Sequence, residues 1–155
     1  MDIENRIKVV EVLALGMDKP VVTDASTLLR EVVRQMRDNR SGCALLTHAG
    51  KLAGIFTERD AVMRVVGVKG ALDLPASDVM TPDPDHVGHK DPLATAVRLM
   101  RRRGFRNVPV VDDAGQVVGC VRHKDVVNYL AEVYPERVLN LPPEPGQVIL
   151  EREGG

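Results

Sequence analysis

Apolar and polar residues follow one another in the same order twice along this chain. Each round opens with a short extended piece, at residues 20–23 and 85–88, and continues with apolar residues at helical spacing. Two apolar runs joined by a glycine-containing turn then predict a β-hairpin, and a second helix, at residues 61–66 or 126–133, ends the round. The pattern therefore predicts two β-α-β-β-α units of about 45 residues each.

The first helix of each unit has its own start signal. Ser26 or Thr27 is the expected N-cap in the first unit, and Pro92 occupies a first-turn position of the second, where proline is tolerated. The apolar stripes that follow consist of Leu28, Leu29, Val32, Val33 and Met36 in the first unit, and of Leu93, Ala96, Val97 and Met100 in the second.

The two units are an internal repeat. The phrase "GIFTERD" at residues 54–60 returns 65 positions later as "GCVRHKD" at residues 119–125, and the turns coincide as well as the apolar residues. A unit this small buries too little surface to be stable alone, whereas two facing copies can share a core. We therefore predict an α+β fold in which two repeats pack against each other.

The repeat sets the expected boundaries. Residues 1–67 hold the first unit with a leading helix that ends at Gly16, and residues 68–77 are a linker. Residues 78–134 hold the second unit. The tail at residues 135–155 contains four of the ten prolines and cannot be a long helix, so it either adds its "QVIL" segment to a neighbouring sheet or stays mobile.

Composition narrows the function classes. The chain has 155 residues, 44% hydrophobic and 28% charged, and a formal net charge of −1, which gives no overall attraction to nucleic acid or anionic membranes. No segment approaches the ~20 apolar residues of a membrane span, and the start lacks a long apolar leader. Cys43 and Cys120 are expected to be free thiols in buried strands, so we expect a cytoplasmic protein.

Motifs for catalysis and metal binding are missing from the sequence. It contains no phosphate-binding glycine loop of either common type and no zinc-type cysteine spacing. His86 and His89 stand in an extended polar loop, a spacing that does not converge on a metal. We therefore predict neither a metal site nor an enzyme.

The repeated phrase allows two interpretations. Thr57 and Asp60 have the spacing of a helix capping box. A helix N-terminus also favours a phosphate, and a carboxylate can accept both hydroxyls of a ribose. In the second copy Arg122 replaces the threonine and cannot act as a capping acceptor, yet Asp125 remains. An aspartate kept without its capping partner favours a ligand-binding role.

The segment "VPVVDDAGQVVGCVRHKDVV", together with its looser first copy, resembles the CBS domain, and the tandem resembles a CBS domain pair over roughly residues 10–133. In the first copy Ala44 stands where the family usually has proline. The resemblance implies two units packed around a pseudo-twofold axis with two clefts between them. It further implies clefts that hold adenosine-containing ligands such as AMP, ADP, ATP or S-adenosylmethionine, and modules that pair into a homodimer.

The resemblance also implies site residues. In the family the aspartate of the phrase holds the ribose and the Ser or Thr contacts phosphate; a basic residue three positions before the proline, here Arg106, often reaches phosphates as well. Arg122 departs from the family pattern, and Ser41 replaces the basic residue in the first copy. The expected ligand-binding residues are Val22, Thr23, Gly42, Cys43, Thr57, Asp60, Val87, Arg106, Asn107, Val108, Pro109, Arg122 and Asp125.

Arg106 and Arg122 make the second cleft the more anion-seeking one, because a guanidinium adds charge and can bind phosphate through two hydrogen bonds. The run Arg101–Arg103 is interpreted as a solvated helix end. We predict a regulatory nucleotide-binding module that acts on an unidentified effector protein. The alternatives are a ligand-free dimerisation scaffold, a binder of S-adenosylmethionine or NAD, and a nucleic-acid binder.

Overall fold

Two β-sheets, each with helices on its outer side, form the protein in a computed structural model that describes residues 2–17 and 19–134. The strands are β1 Val21–Asp24, β2 Cys43–His48, β3 Lys51–Thr57, β4 Thr81–Pro82, β5 Val87–Gly88, β6 Asn107–Val111 and β7 Val117–Arg122. The α-helices are α1 Ile3–Ile7, α2 Leu29–Asp38, α3 Glu58–Asp60, α4 Leu93–Arg103 and α5 His123–Val133. The tail predicted at residues 135–155 lies outside the described residues.

The two sheets repeat one arrangement, as the sequence predicts. In the first sheet the order is β1-β2-β3-β4, with β1 parallel to β2 and the other pairs antiparallel. In the second the order is β5-β6-β7, with β5 parallel to β6 and β6 antiparallel to β7. Positive φ angles of 79° at Gly50 and 80° at Gly115 allow the two hairpin turns, because glycine takes this conformation without a steric penalty. The two hairpins are therefore confirmed.

The leading segment differs from the prediction. Helix α1 ends at Ile7 and is followed by a separate 3₁₀ turn, Val12–Ala14, so no continuous helix runs to Gly16. The backbone of this segment pairs with the second unit instead: the Val12 N–H donates to the Asp91 carbonyl, and Leu93 donates to Val10. These tertiary hydrogen bonds replace helical ones, and Val12 and Leu15 join the core of the second unit.

The predicted linker is the counterpart of that leading segment. Its residues form the 3₁₀ turns Ala71–Asp73 and Ala76–Asp78, and Ala76 and Val79 belong to the core of the first unit. The Leu29 N–H donates to the Leu74 carbonyl, as Leu93 does to Val10. Each unit is thus completed by the segment that precedes the other one, which ties the two together.

The same bond explains a second difference, at the start of α2. The predicted caps Ser26 and Thr27 do not cap the helix: Leu28 is the N-cap, without a side-chain hydrogen bond. The Leu74 carbonyl accepts from the first helical N–H, and the Ser26 hydroxyl binds Asp24. A tertiary acceptor has replaced the local one.

The closing helices also begin earlier than predicted. In the first unit α3 continues into a π-helical turn, Ala61–Val65, and in the second α5 already starts at His123. Both therefore begin directly at the end of a strand, with no loop between. Among the described helices none is long and apolar enough to cross a membrane.

The surface between the two units, called the seam below, is held by side chains and backbone. Cys43, Leu45 and Ile55 of the first sheet form one buried cluster with Cys120 of the second. At the turn end, Leu52 donates to the Gly115 carbonyl over 3.3 Å. The two strand-to-helix turns that carry the repeated phrase lie at the opposite ends of β3 and β7.

Candidate ligand site at the two strand-to-helix junctions

The first junction, Thr57 to Asp60, is a closed capping box. The Thr57 hydroxyl accepts from the Asp60 N–H over 3.2 Å, and the Asp60 Oδ2 accepts from the Thr57 N–H over 2.9 Å. The Asp60 side chain is 13% exposed, and its Oδ1 lies 3.7 Å from the Arg64 guanidinium. The capping interpretation is therefore correct for this junction as the structure shows it.

The second junction, Arg122 to Asp125, also bonds the end of the strand to the start of the helix, but the side chains form an ion pair. The Asp125 Oδ2 accepts from the Arg122 backbone N–H and from its Nε, both over 2.9 Å. The Asp125 Oδ1 accepts from the Arg122 guanidinium over 2.7 Å. Asp125 thus has a partner at this junction, and the inference that it lacks one is wrong. What the sequence could not reveal is that the arginine folds back onto its own junction.

Strand pairing brings most of the predicted residues to the two junctions. Cys43 is the Cα partner of Thr57, and the Gly42 carbonyl accepts from the Glu58 N–H. Asn107 is the partner of Arg122, and the Arg106 carbonyl accepts from His123. The side chain of Arg106 is exposed. Each junction is therefore a contiguous cluster that contains residues from two adjacent strands.

Other predicted residues are placed differently. Five of the predicted residues are buried, namely Cys43, Val87, Val108, Pro109 and Asp125. Val22 is 44% exposed and Thr23 bonds to Thr27 through its hydroxyl, both on β1, where their partners are Leu45 and Leu46. Cys43 lies in the seam cluster, whereas Val87 and Val108 lie in the core of the second unit. Their contact with a ligand stays a prediction.

The glycine that begins both phrases has a packing explanation. A Cβ at Gly54 would overlap the side chain of Met80, and one at Gly119 would lie 2.9 Å from the Met17 Cε. Met17 comes before β1 of the first sheet and Met80 before β5 of the second, so each glycine packs against a methionine from the segment that leads into the other sheet. The repeated glycines mark these positions in the sequence, but no motif points to the methionines that fill the space.

Two cavities, of about 510 and 540 Å³, open on the first unit. One lies between α2 and residues 65–73, and the other lies beside the C-terminal half of α2. Ser41 and Glu58 line the second cavity, which therefore reaches the edge of the first junction. Neither is lined by the side chains of Thr57, Asp60, Arg122 or Asp125.

The remaining predictions concern charge and metals. Arg101–Arg103 are exposed and form the last turn of α4, which ends at Gly104 with φ 69°, so the interpretation as a solvated helix end is confirmed. Within residues 2–17 and 19–134, no three His, Cys, Asp or Glu side chains lie close enough to hold a metal ion.

Two sheets with this strand order, completed by exchanged leading segments, define a tandem α/β module with a pseudo-twofold relation. The family model of the CBS domain matches residues 9–67 and again residues 76–132. The chain belongs to the CBS domain family and contains a CBS domain pair.

Similar sequences and a similar solved structure support the assignment to the CBS domain family. The CBS domain-containing protein CBSCBSPB1 of Arabidopsis thaliana is 36% identical over 105 residues, which are 64% of this chain and 18% of that protein. The protein MK0525 of Methanopyrus kandleri is 32% identical over 99 residues, 63% of this chain and 50% of its own. The CBS domain protein PAE2072 of Pyrobaculum aerophilum, solved in complex with AMP, has a TM-score of 0.69 and 30% identity, and the match covers 79% of this chain and 99% of that one.

Proposed function

We propose that this CBS domain pair is a non-enzymatic regulatory module that binds an adenine nucleotide, AMP, ADP or ATP, at the two junctions. The observation that carries the proposal is the pairing, at each junction, of a carboxylate with a phosphate-binding donor beside a helix start. These are Asp60 with the Thr57 hydroxyl, and Asp125 with the Arg122 guanidinium. The relative that was solved with AMP shares the fold over nearly its whole length and supports this ligand class.

The chemistry at each junction suits the parts of a nucleotide. A carboxylate has about four lone-pair sites, and Asp60 uses mainly those of Oδ2, so its Oδ1 can accept a ribose hydroxyl. At the second junction the guanidinium adds a positive charge that threonine does not supply. The second junction is therefore the stronger phosphate site, although Asp125 offsets part of the charge.

Burial suggests how binding becomes a signal. Cys43 and Pro109 adjoin the junctions and are buried; Cys43 belongs to the seam cluster, and Pro109 is the strand partner of Cys120 in that cluster. A nucleotide that contacts them has to part the seam, and it then stabilises the parted arrangement by its differential affinity for the two states. An effector protein reads this change in packing.

A thermal-shift titration with AMP, ADP and ATP tests the proposal. A ligand at 100 times its Kd stabilises the folded state by about 2.7 kcal/mol, which raises the Tm by about 5–10 °C. Asp125→Asn is expected to lower the affinity roughly tenfold or more, and Asp60→Asn less. Asp38→Asn, an exposed aspartate at the end of α2, is the matched control and leaves the affinity unchanged. No shift with any of the three nucleotides would contradict the proposal and favour a ligand-free scaffold.

We further propose that two copies pair through the closing helices. Val62, Met63 and Val66, which follow the first junction, are 66–72% exposed, and Val127 on α5 is 57% exposed. Large apolar side chains at equivalent places of both units form a surface that a second copy can cover. Because the same surface exists on every copy, a twofold contact is self-complementary.

Sedimentation of a charge variant tests this pairing. Met63→Glu is expected to convert a dimer into a monomer, since it places a charge in an apolar interface. Leu13→Glu is the matched control, because Leu13 is 56% exposed but lies on the leading segment. A wild-type monomer, or equal effects of both changes, would contradict the proposed contact surface.

A further inference from the structure

The two cysteines of the chain meet across the seam. Their Sγ atoms are 4.0 Å apart although the residues are separated by 77 positions in sequence. Cys43 opens β2 of the first sheet, and Cys120 lies in β7 of the second. The side chains are buried, with 2% and 4% of their surface exposed, and both are free thiols. This contact joins the two units directly.

The contact occurs on one side of the pseudo-twofold axis only. By the strand registers, Cys43 corresponds to Asn107, because these two residues pair with Thr57 and Arg122, and Cys120 corresponds to Ile55. The symmetric position therefore holds an amide and an apolar side chain, while the actual one carries two thiols. The sequence predicts two free thiols in buried strands and does not indicate that they lie close together. Only the facing of the two sheets makes them neighbours.

Their surroundings give the two sulfurs different roles. The hydrogen bond from Cys120 and the charge of the Arg122 guanidinium lower the pKa of the Cys43 thiol against the opposing effect of burial. The same hydrogen bond and burial raise the pKa of Cys120. The proton shared by the pair thus stays on Cys120, and the thiolate forms on Cys43. A thiolate is the nucleophile in cysteine oxidation and exchange.

We propose that Cys43 and Cys120 are a site of reversible disulfide formation that joins the two units when the protein meets a peroxide. The proposal rests on the distance across the seam and does not depend on the nucleotide site.

The reaction balances in two steps. The Cys43 thiolate attacks one oxygen of hydrogen peroxide, the O–O bond breaks, and hydroxide leaves and takes up a proton to give water; the sulfur is now a sulfenic acid. The Cys120 sulfur then attacks the Cys43 sulfur, the S–O bond breaks, and the hydroxyl leaves with the Cys120 proton as a second water. Two thiols and one peroxide become one disulfide and two waters. A dithiol reductant reverses the step by exchange.

The movement required is small. A disulfide has an S–S distance of about 2.05 Å, so the two sulfurs have to approach each other by about 2 Å. The flanking side chains Leu52 and Val117 are partly buried and apolar, and they do not compete for the thiolate. Once formed, the bond fixes the seam.

The test uses the reduced full-length protein and hydrogen peroxide without nucleotide. Intact mass is expected to fall by about 2 Da in the monomer, and peptide mapping is expected to link the Cys43 peptide to the Cys120 peptide. The oxidised monomer is expected to melt several degrees higher than the reduced one, because the bond closes a long loop of the unfolded chain. A dithiol is expected to restore both the mass and the Tm.

Two single variants assign the roles. Cys120→Ser is expected to accumulate sulfenic acid at Cys43, detected with a sulfenic-acid-specific diketone, whereas Cys43→Ser reacts severalfold more slowly. Three results would overturn the proposal: thiols that stay reduced, oxidation to sulfinic acid without a crosslink, or a disulfide between two chains. The nucleotide titration is a separate experiment, so failure of one proposal is distinguishable from failure of the other.

Discussion

The two strand-to-helix junctions bond the backbone N–H at the end of the strand in the same way, but their remaining side chains differ. In both, an aspartate in the first helical turn accepts the backbone N–H of the residue that ends the strand, over 2.9 Å. The first junction adds a threonine hydroxyl and leaves Asp60 13% exposed; the second adds a guanidinium and buries the Asp125 side chain to 6%. The capping box at the first junction works with the uncharged Thr57, whereas the ion pair at the second junction needs the charges of both Arg122 and Asp125.

The comparison shows why an aspartate kept beside a changed neighbour is not in itself a sign of a ligand. Asp125 remains because it balances Arg122 and holds the start of α5. The proposed nucleotide site uses the same pair. The structural role of the pair and its proposed ligand-binding role can therefore be separated only by measuring stability and affinity in the same variants.

The largest expected difference between the junctions is in stability. Asp125→Ala leaves the Arg122 guanidinium, whose side chain is 20% exposed, without this carboxylate and is expected to cost about 3 kcal/mol. Asp60→Ala removes half of an ordinary capping box and is expected to cost about 1 kcal/mol. Urea unfolding with equal m values in all variants measures both.

Arg122→Thr is the matched control for this prediction, because it rewrites the second junction in the residues of the first. A threonine hydroxyl can accept from the Asp125 N–H, so the change is expected to cost less than Asp125→Ala. Equal losses for the two Ala variants would show that the ion pair adds nothing to the cap, and the distinction between the junctions would then fail.

Much of this architecture can be predicted from the sequence, because the repeated phrase and the periodic apolar residues indicate local structure. The hairpins and the α4 stripe are local features. The exchange of leading segments is not: nothing local indicates that Val12 and Leu15 belong to the second core, or that Leu74 caps α2. Those contacts depend on how the two units face each other.

The candidate site likewise has some features that follow from the local sequence and others that depend on the tertiary structure. The Thr57–Asp60 box follows from spacing alone, whereas the bond from Arg122 to Asp125 depends on a side-chain rotamer, and the Cys43–Cys120 contact depends on the packing of two sheets. The glycines of the two phrases form a repeated pattern, but the methionines that pack against them come from other parts of the chain. Sequence periodicity locates a position; the tertiary structure determines what fills the space beside it.

The smallest expected difference concerns the residues beside the junctions. Arg106 is exposed next to the second junction; its structural counterpart is Gly42 and not, as the sequence alignment predicts, Ser41, which bonds to the Cys43 carbonyl over 2.7 Å beside the first junction. Arg106→Gln is expected to weaken AMP binding about threefold at low salt, the size of one solvent-exposed charge interaction, and the effect is expected to vanish near 1 M salt, where the screening length is about 3 Å. Ser41→Ala is the matched change at the first junction and leaves AMP affinity within experimental error at both salt concentrations. A loss from Arg106→Gln that persists at high salt would mean that the guanidinium bonds directly to a desolvated phosphate, and a loss from Ser41→Ala alone would move the main nucleotide site to the first junction.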